Sequence, residues 1–294
     1  MNSQFISNIC SIYGHNGKRW LTQLPEITEE LCKSWNLNSV SEVKDLSYNY
    51  CFMAKNVHNQ DVVAKISLDP DRFSKELRAL QSFSCGVVKV LGIDTKYSAF
   101  LMEKAIPGRQ LREIVLSGDD ELATRIIAQT IKKIKGIPAQ SRFKHLSEFI
   151  PTLDILRHRL STQSLDKLQQ LFKDLTSDRK DDILLHGDLH HGNILSHGDS
   201  WIAIDPHGYI GHPVAEIGAM IRNPWDAFPS DLPLKEIIER RICILHEELN
   251  YDIKLINAWA YCITALSEVW SIQDQGNKHE VDLQLLGILE LGVR

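Results

Sequence analysis

Three oxygen-bearing side chains stand close together along the middle of this 294-residue chain. Asp188 lies in a polar loop, HGDLHHGN, which Asn193 closes, and Asp205 follows an apolar run a few residues later. A carboxylate in a tight loop can accept a proton as a general base. Carboxylate and amide oxygens also suit Mg²⁺, which prefers hard oxygen ligands. The pattern predicts a catalytic base, Asp188, beside a magnesium site formed by Asn193 and Asp205.

Short strands must hold these side chains in place. Apolar runs at 183–185, 194–195 and 201–204 predict three buried strands around the loop. A Gly-Asp turn separates the second run from the third, which favours a hairpin. Such a hairpin would bring Asn193 and Asp205 to one place.

The N-terminal third has a strand-rich pattern with an inserted helix. One helix is predicted over 26–37 after Pro25, and another begins at an Asp-Pro pair, which supplies an N-cap and a first-turn proline. Lys65 lies in a strand and Glu76 in the second helix. The strands are predicted at 43–46, 50–57, 62–68, 87–93 and 98–102.

After the segment EKAIPG at 103–108, which contains a Pro-Gly pair, the chain becomes mainly helical. We therefore predict an α+β fold with two lobes, residues 1–103 and 104–294, joined by a hinge at about 103–108. Apolar residues recur at helical spacing in segments at 111–116, 123–137, 146–160, 165–175, 214–221, 234–249, 253–275 and 281–291.

The composition disfavours several classes of function. A net charge of −5 argues against nucleic acid as the main partner, because phosphate backbones are bound by basic surfaces. No apolar run reaches the length of a membrane span, and we expect neither a signal peptide nor a membrane partner. The six cysteines are scattered without a CxxC pair, which favours a reducing, cytoplasmic location. The sequence does not indicate an oligomeric state.

The order of these motifs resembles the aminoglycoside phosphotransferase branch of the protein-kinase-like superfamily. HGDLHHGN keeps the Asp-to-Asn spacing of the kinase catalytic loop, and IDP stands where kinases have DFG. Three further segments, WLTQLPEITEELCKSW, IDPHGYIGHPVAEIGAMIRNP and NAWAYCITALSEVWSIQD, resemble the aminoglycoside/hydroxyurea antibiotic resistance kinases. The resemblance covers nearly the whole chain.

The resemblance implies ATP- and Mg²⁺-dependent phosphoryl transfer to a hydroxyl group. Asp188 would be the base, and Asn193 and Asp205 would hold the metal ion. The N-terminal lobe would bind the nucleotide, with Lys65 contacting the α- and β-phosphates and Glu76 pairing with that lysine.

Other positions would support the site in the same resemblance. The backbone of the hinge, from Glu103 to Ala105, would bind the adenine edge. Glu216 and His186 would hold and orient the catalytic loop. One departure concerns the loop at 47–50, SYNY, which contains no glycine where kinase-like folds commonly have a small-residue turn near the phosphates.

The implied acceptor is an aminoglycoside, with the 6-hydroxyl of streptomycin as the expected site. Its streptidine ring carries two guanidinium groups, which carboxylates and aromatic faces can bind. The negative charge of the chain is concentrated after residue 206, and one predicted helix there offers Glu268, Trp270 and Asp274 as contacts. A solvated acidic surface is an equally simple explanation of this charge.

Three alternatives compete with this interpretation. A kinase of the same superfamily could act on another small cationic alcohol or metabolite. A second alternative is a catalytically weak or inactive nucleotide-binding scaffold, which only the glycine-free loop favours. The histidines at 186, 190 and 191 could instead form a transition-metal site with Asp188, but the Asn193 and Asp205 oxygens suit magnesium better.

Overall fold

The computed structural model describes residues 1–44, 46–134, 137–138, 142–229, 232–273 and 280–293. The chain divides into two compact units. The first comprises Met1–Gln81 and Val88–Ile106, and the second comprises Ser82–Val87 and Pro107–Arg294. Helices and strands occur in both units, so the predicted α+β class is confirmed.

The first unit is built on an antiparallel sheet that carries two helices. Its elements are α1 (Ser3–Ser34), β1 (Asn38–Glu42), β2 (Tyr50–Lys55), β3 (Asp61–Ile66), α2 (Pro70–Ser82), β4 (Val90–Asp94) and β5 (Ala99–Glu103). The strand order is β1-β2-β3-β5-β4, which places β3 in the centre. Strand β3 reads DVVAKI, and its β-branched and small residues fit a buried central strand.

Helix α1 is longer than the sequence predicts. It begins at Ser3, with Asn2 as its N-cap, rather than near residue 26. Two helical segments meet at Gly14, whose φ is 54°, and Pro25 lies inside the second segment instead of starting it. The helix persists because packing of its apolar face stabilises it more than the local breakers destabilise it. That face comprises Phe5, Ile9, Trp20, Leu24, Ile27 and Leu31.

The second unit is mainly helical and contains two small sheets. Its elements are β6 (Pro107–Gln110), α3 (Arg112–Leu116), α4 (Asp120–Lys133), β7 (Lys144–His145), α5 (Thr162–Leu175), β8 (Ile183–Leu185), β9 (Ile194–His197), β10 (Ser200–Ala203), β11 (Tyr209–Gly211), α6 (Gly218–Ile221), α7 (Leu234–Leu249), α8 (Ile253–Gln273) and α9 (Glu280–Gly292). It also includes the 3₁₀ helices Leu146–His158, His191–Asn193 and Pro213–Ile217.

Two of the predicted α-helices in this unit have a tighter geometry than expected. The segment predicted at 146–160 is a 3₁₀ helix, Leu146–His158, which contains Pro151. Proline lacks the N–H that a regular α-helix would use there. The segment predicted at 214–221 begins as the 3₁₀ helix Pro213–Ile217 and continues as α6. Apolar spacing alone does not separate these two kinds of helix.

Both small sheets position the central loop. Strands β9 and β10 form the predicted hairpin, with Ile194 opposite Ala203. Strand β8 pairs with β11, with Leu185 opposite Tyr209. Residues 186–193 therefore connect one sheet directly to the other. No helix in the described part of the chain combines the length and apolar character needed to cross a membrane.

Candidate active site

One buried carboxylate holds the backbone of the loop that follows β8. The N–H groups of His186 and Gly187 donate to the two oxygens of Glu216, at 2.7 and 3.0 Å. Glu216 is 5% exposed and belongs to the 3₁₀ helix Pro213–Ile217. Burial raises the pKa of Glu216 to about 7, although the two N–H donors act in the opposite direction. Glu216 therefore binds the backbone of the loop that it is expected to hold from the resemblance.

The ring of His186 ties the loop to the end of β10. It is fully buried, and Nε2 donates to the carbonyl oxygen of Ile204 at 2.9 Å. Nδ1 therefore carries the lone pair, and it accepts the backbone N–H of Asp188 at 3.3 Å. Burial lowers the pKa of His186 to about 4, which keeps the ring neutral. A neutral imidazole with a fixed tautomer thus orients the backbone of Asp188.

The carboxylate of Asp188 is ionised and reachable from solvent. Its side chain is 22% exposed, and Oδ2 accepts a hydrogen bond from Asn193 Nδ2 at 3.1 Å. The Nε2 atoms of His190 and His207 lie 3.6 and 3.8 Å from the same oxygen. Burial alone would raise the pKa of Asp188, but the neighbouring histidines lower it, and the net direction is downward. An accessible, ionised carboxylate is the form that a general base requires.

Asn193 and Asp205 flank the hairpin of β9 and β10. The backbone N–H of Ile204 donates to the carbonyl oxygen of Asn193 at 2.9 Å. Asp205 is the next residue, so it directly follows the residue that is hydrogen-bonded to Asn193. Asn193 Nδ2 also donates to the carbonyl of Asp188, so both of its hydrogen bonds to Asp188 use the amide nitrogen and neither uses the amide oxygen. Asp205 has a φ of 60°, a left-handed conformation that costs roughly 1–2 kcal/mol and often marks a functional position. The amide oxygen and the carboxylate fit Mg²⁺.

The histidines of the loop give no support to a transition-metal site. Within the described ranges, no group of three or more His, Cys, Asp and Glu side chains could hold a metal ion. His191 is fully buried, and neither ring nitrogen has a hydrogen-bond partner. Burial lowers the pKa of His191 well below its ordinary value, so the ring is a neutral core group.

The raised pKa of Glu216 predicts a specific pH dependence of stability. Between the unfolded value of 4.5 and the folded value of about 7, the folded protein holds a proton that the unfolded chain has lost. Glu216 therefore contributes fully to stability below pH 4.5 and loses that contribution as the pH rises to 7. The difference in free energy of unfolding between the wild type and Glu216→Gln should fall by roughly 3 kcal/mol over this range.

Urea unfolding of both proteins across this pH range measures the difference. The lowered pKa of His186 has the opposite effect, because it makes the folded protein more stable as the pH rises. This effect is the same in both proteins and cancels in the difference between their free energies of unfolding. Glu239→Gln serves as the control, because that side chain is 59% exposed. A difference that stays constant or grows as the pH rises is inconsistent with a buried, protonated Glu216.

In the first unit, Lys65 of β3 and Glu76 of α2 form a buried ion pair. Lys65 Nζ lies 2.7 Å from Glu76 Oε1, and the side chains are 4% and 15% exposed. Lys65 stands opposite Cys51 of β2 and Phe100 of β5, so strands on both sides fix its backbone. Buried charges are tolerated when they are paired. The pair therefore provides an ammonium group with a fixed position.

The predicted hinge positions lie at the C-terminal end of the first unit. Glu103 ends β5, and its Oε1 accepts the backbone N–H of Lys89 at 2.8 Å. The N–H of Glu103 donates to the carbonyl of Lys89 at 3.0 Å. Ala105 is buried. The side chain of Glu103 is thus committed to the sheet, and a ligand here would meet backbone groups.

The glycine-free loop between β1 and β2 is held by side chains of α1. Asn8 Nδ2 donates to the carbonyl of Ser47 at 3.1 Å, and Asn2 Nδ2 donates to that of Leu46 at 3.3 Å. Tyr48, at the centre of the loop, is exposed. Amide side chains from a neighbouring helix therefore fix the described part of this loop.

The predicted acceptor contacts have different environments. Glu268 is fully buried on α8, and its Oε1 lies 2.9 Å from Arg159 Nη1. Burial raises the pKa of Glu268, and Arg159 opposes that shift. Trp270 is half-buried in the last turns of the same helix. Asp274 lies outside the described residues. Of these three residues, Trp270 is therefore the one whose side chain is seen to be partly exposed, so a ligand could contact it.

An aromatic cluster lies beside the loop at 186–193, and of its members the sequence points only to Trp270. The rings of Tyr209 and Trp270 are stacked with centroids 5.7 Å apart, and Phe149 meets both edge-on. His207 also packs against both rings while its Nε2 lies 3.8 Å from Asp188 Oδ2. A Cβ at Gly187, whose φ is 79°, would come within 2.6 Å of the Tyr209 ring. His207 and Tyr209 follow directly after the IDP motif, which is the available sequence signal for them, whereas Phe149 and Trp270 are distant from it in the sequence.

The chain matches known phosphotransferases in sequence. The family model for aminoglycoside/hydroxyurea antibiotic resistance kinase matches residues 61–276. Streptomycin 6-kinase of Streptomyces glaucescens is 24% identical over 271 residues, which cover 89% of this chain and 87% of that protein. Streptomycin 3''-kinase of Klebsiella pneumoniae is 30% identical over 184 residues, which cover 60% of this chain and 67% of that protein.

The fold matches a solved phosphotransferase. A crystal structure of an aminoglycoside phosphotransferase in a ternary complex with ADP and hygromycin B superposes with a TM-score of 0.63 at 15% identity. The match covers 90% of this chain and 97% of that chain. At this identity the likeness concerns the fold, and it confirms the predicted protein-kinase-like architecture.

Proposed function

Because this chain belongs to the aminoglycoside/hydroxyurea antibiotic resistance kinases, we propose that it phosphorylates the 6-hydroxyl of streptomycin. The chain is a small-molecule kinase of the aminoglycoside phosphotransferase type. The 6-hydroxyl is favoured because the streptomycin 6-kinase aligns over most of both chains, whereas the 3''-kinase aligns over 60% of this one. The observation that carries the proposal is the accessible, ionised carboxylate of Asp188.

Asp188 would act as the general base. It would accept the proton of the acceptor hydroxyl as the hydroxyl oxygen attacks the γ-phosphorus of ATP. The new O–P bond forms while the bond from the γ-phosphorus to the β–γ bridging oxygen breaks, and ADP leaves with that electron pair. The hydrogen bond from Asn193 and the backbone contact with His186 would hold the carboxylate in position for this transfer.

Asn193 and Asp205 would hold Mg²⁺ through the amide oxygen and the carboxylate, together with oxygens of the nucleotide. When bound, the metal ion neutralises negative charge on the phosphates. Both side chains occupy the same end of the β9–β10 hairpin, and Asn193 also contacts Asp188. This arrangement supports the proposal that Asn193 and Asp205 bind the metal ion next to Asp188, which would accept the proton.

The nucleotide would be bound by the N-terminal lobe, residues 1–103. Lys65, held by Glu76 at 2.7 Å, would contact the α- and β-phosphates. Backbone groups from Glu103 to Ala105 would bind the adenine edge. The C-terminal lobe, residues 104–294, would supply the catalytic loop and the acceptor site.

The acceptor would be recognised through the aromatic cluster of Phe149, His207, Tyr209 and Trp270. A guanidinium group of streptidine is attracted to the exposed face of such a ring, with a gain of roughly 0.5–2 kcal/mol. Glu268 is fully buried and paired with Arg159, so the acceptor would not contact its carboxylate directly. Asp274 remains a predicted contact.

A substrate panel tests the proposal. Purified protein would be incubated with ATP, Mg²⁺ and streptomycin, other aminoglycosides, amino alcohols, sugars or nucleosides, and ADP release would be measured. We expect ADP release that depends on streptomycin, and a product heavier by one HPO₃ group. Phosphorylation of a different alcohol without any transfer to streptomycin would reject the acceptor and retain the kinase. Calorimetric ATP·Mg²⁺ binding without transfer to any alcohol would support an inactive scaffold.

A further inference from the structure

His190 is a residue of the catalytic loop whose backbone and ring are both held in place. Its backbone N–H donates to the carbonyl oxygen of Asp188 at 3.0 Å, and its carbonyl oxygen accepts the N–H of Asn193 at 2.9 Å. The ring atom Nδ1 accepts the backbone N–H of Gly192 at 3.0 Å and so caps the 3₁₀ helix His191–Asn193. A nitrogen that accepts a hydrogen bond carries the lone pair, so the proton of the neutral ring is on Nε2.

The Nε2–H group of His190 lies beside the carboxylate of Asp188 without a hydrogen bond between them. The distance from Nε2 to Asp188 Oδ2 is 3.6 Å, which is longer than a hydrogen bond, and the His190 side chain is 26% exposed. Burial lowers the pKa of His190, although the charge of Asp188 acts in the opposite direction. The ring is therefore a neutral donor that stands next to the proposed base and is partly accessible to a ligand.

One oxygen atom of a ligand can contact both groups. At the usual hydrogen-bond length of about 2.7–3.0 Å, a single oxygen can reach Nε2 and Oδ2 together, because the gap of 3.6 Å is shorter than two such bonds. A hydroxyl group has one hydrogen, which it gives to the base. Toward His190 the hydroxyl oxygen can therefore only accept, and Nε2–H is the donor that this requires. Its other lone pair is then left for the attack on phosphorus.

We propose that His190 Nε2–H donates a hydrogen bond to the oxygen of the acceptor hydroxyl and orients that oxygen for attack on the γ-phosphate. The inference rests on the proposed function, in which Asp188 is the base. His190 keeps its proton throughout the reaction, and the hydroxyl proton goes to Asp188. The role differs from that of His186, whose Nε2–H is already used by the carbonyl oxygen of Ile204.

Two substitutions of His190 separate the Nε2 donor from the helix cap. His190→Asn keeps an oxygen that can accept the N–H of Gly192, since asparagine is a favoured N-cap residue, but no donor of its side chain reaches the position of Nε2. His190→Gln has the opposite character, because its amide nitrogen can reach the position of Nε2 while the cap is lost.

The matched control is His212→Asn. His212 Nδ1 accepts the backbone N–H of Val214 at 3.3 Å and caps the 3₁₀ helix Pro213–Ile217, and its ring stacks on that of the fully buried Trp259. For each protein we would measure Tm, kcat for streptomycin phosphorylation and the Kd for ATP·Mg²⁺. Calorimetry without acceptor would also give the affinity for ADP·Mg²⁺ with and without aluminium fluoride, a mimic of the phosphoryl group in transit.

For His190→Asn we expect kcat to fall by roughly 10–10²-fold, the usual effect of a misplaced reacting group. Its Tm should equal that of the wild type, because the cap is kept, and its Kd for ATP·Mg²⁺ should change by less than about threefold. The tightening caused by aluminium fluoride should also be kept, because the donor contacts the hydroxyl and not the phosphoryl group. His190→Gln should recover part of the lost kcat, and His212→Asn should stay within about threefold of the wild-type kcat.

Three results would overturn the inference. One is a kcat for His190→Asn within about threefold of the wild-type value. Another is the loss of the aluminium fluoride effect in His190→Asn, which would place the donor on the phosphoryl group. The third is a lower kcat for His190→Gln than for His190→Asn, which would mean that the cap and not the donor sets the rate. A wild type that transfers no phosphoryl group to any alcohol rejects the proposed function itself, and this inference with it.

A measurement on the wild type covers the case in which His190→Asn does not fold. The Nε2 proton of His190 is observed by NMR in protein with isotope-labelled histidine, and it is assigned by its absence in His190→Gln. We expect this proton to move downfield and to exchange more slowly with water when streptomycin is added to the complex with Mg²⁺ and a non-hydrolysable ATP analogue. An unchanged signal would contradict a hydrogen bond to the acceptor.

Discussion

Replacing Asp188 by asparagine is expected to lower kcat for streptomycin phosphorylation by roughly 10²–10⁴-fold, the usual contribution of a general base. Asparagine has the same shape, but it cannot take the hydroxyl proton. Its amide oxygen can still accept the hydrogen bond from Asn193 that spans 3.1 Å. The backbone contact with His186 is unchanged by the substitution. We therefore expect the same Tm and the same affinity for ATP·Mg²⁺ as the wild type.

Initial rates of ADP release and calorimetric titration with ATP·Mg²⁺ measure these two effects separately. Asp154→Asn is the matched control, because Asp154 lies in the same unit with a side chain that is 56% exposed and pairs with Arg157 at the surface. The control should keep the wild-type rate. If Asp188→Asn keeps more than about a third of the wild-type kcat, a difference of less than 1 kcal/mol, then Asp188 is not the base.

Lys65→Met is expected to lower the stability of the first unit and to weaken the binding of nucleotide. The ammonium group lies 2.7 Å from Glu76 Oε1, and both side chains are largely buried. Removing one partner of such a pair leaves a buried charge and typically costs about 3–5 kcal/mol of stability. The loss of a positive charge from the proposed phosphate site should also raise the Kd for ATP·Mg²⁺ by at least about tenfold, since one charged hydrogen bond contributes roughly 1.5–3 kcal/mol.

A second variant separates these two effects. Lys65→Met combined with Glu76→Leu replaces the whole pair by apolar side chains, which often restores stability. We expect this double variant to recover Tm but not nucleotide affinity. Lys55→Met is the control on the adjacent strand, because its pair with Asp61 spans 3.4 Å and is about one-third exposed, so it should change stability by less than about 1 kcal/mol. Recovered nucleotide binding in the double variant is inconsistent with a phosphate contact by Lys65.

Local sequence predicted the elements of the site because their geometry is set over short distances. The five-residue spacing from Asp188 to Asn193 determines which amide can reach the carboxylate, and the hydrogen bond between them follows from that spacing. Lys65 and Glu76 are separated by a strand end and two helical turns. Their pairing is expected from the resemblance to kinases, because neither residue indicates a partner by itself.

Features that depend on distant partners could not be predicted from one sequence. Glu268 looks like an available carboxylate on a helix, yet it is buried against Arg159, more than a hundred residues earlier. His207 is an exposed residue in a loop, and nothing in its local sequence indicates that its Nε2 lies 3.8 Å from Asp188 Oδ2. The early start of α1 has the same origin, because Phe5 and Ile9 are helical in order to pack on the sheet. Tertiary packing decides these cases.

The most direct test of the account is the position of phosphate on streptomycin after reaction with ATP and Mg²⁺. Phosphorus–proton correlation NMR of the purified product assigns the phosphorylated oxygen. We predict a single phosphate on the 6-hydroxyl of the streptidine ring, formed by the wild type and absent with Asp188→Asn. Unmodified streptomycin, or a phosphate on any other oxygen, would contradict the account.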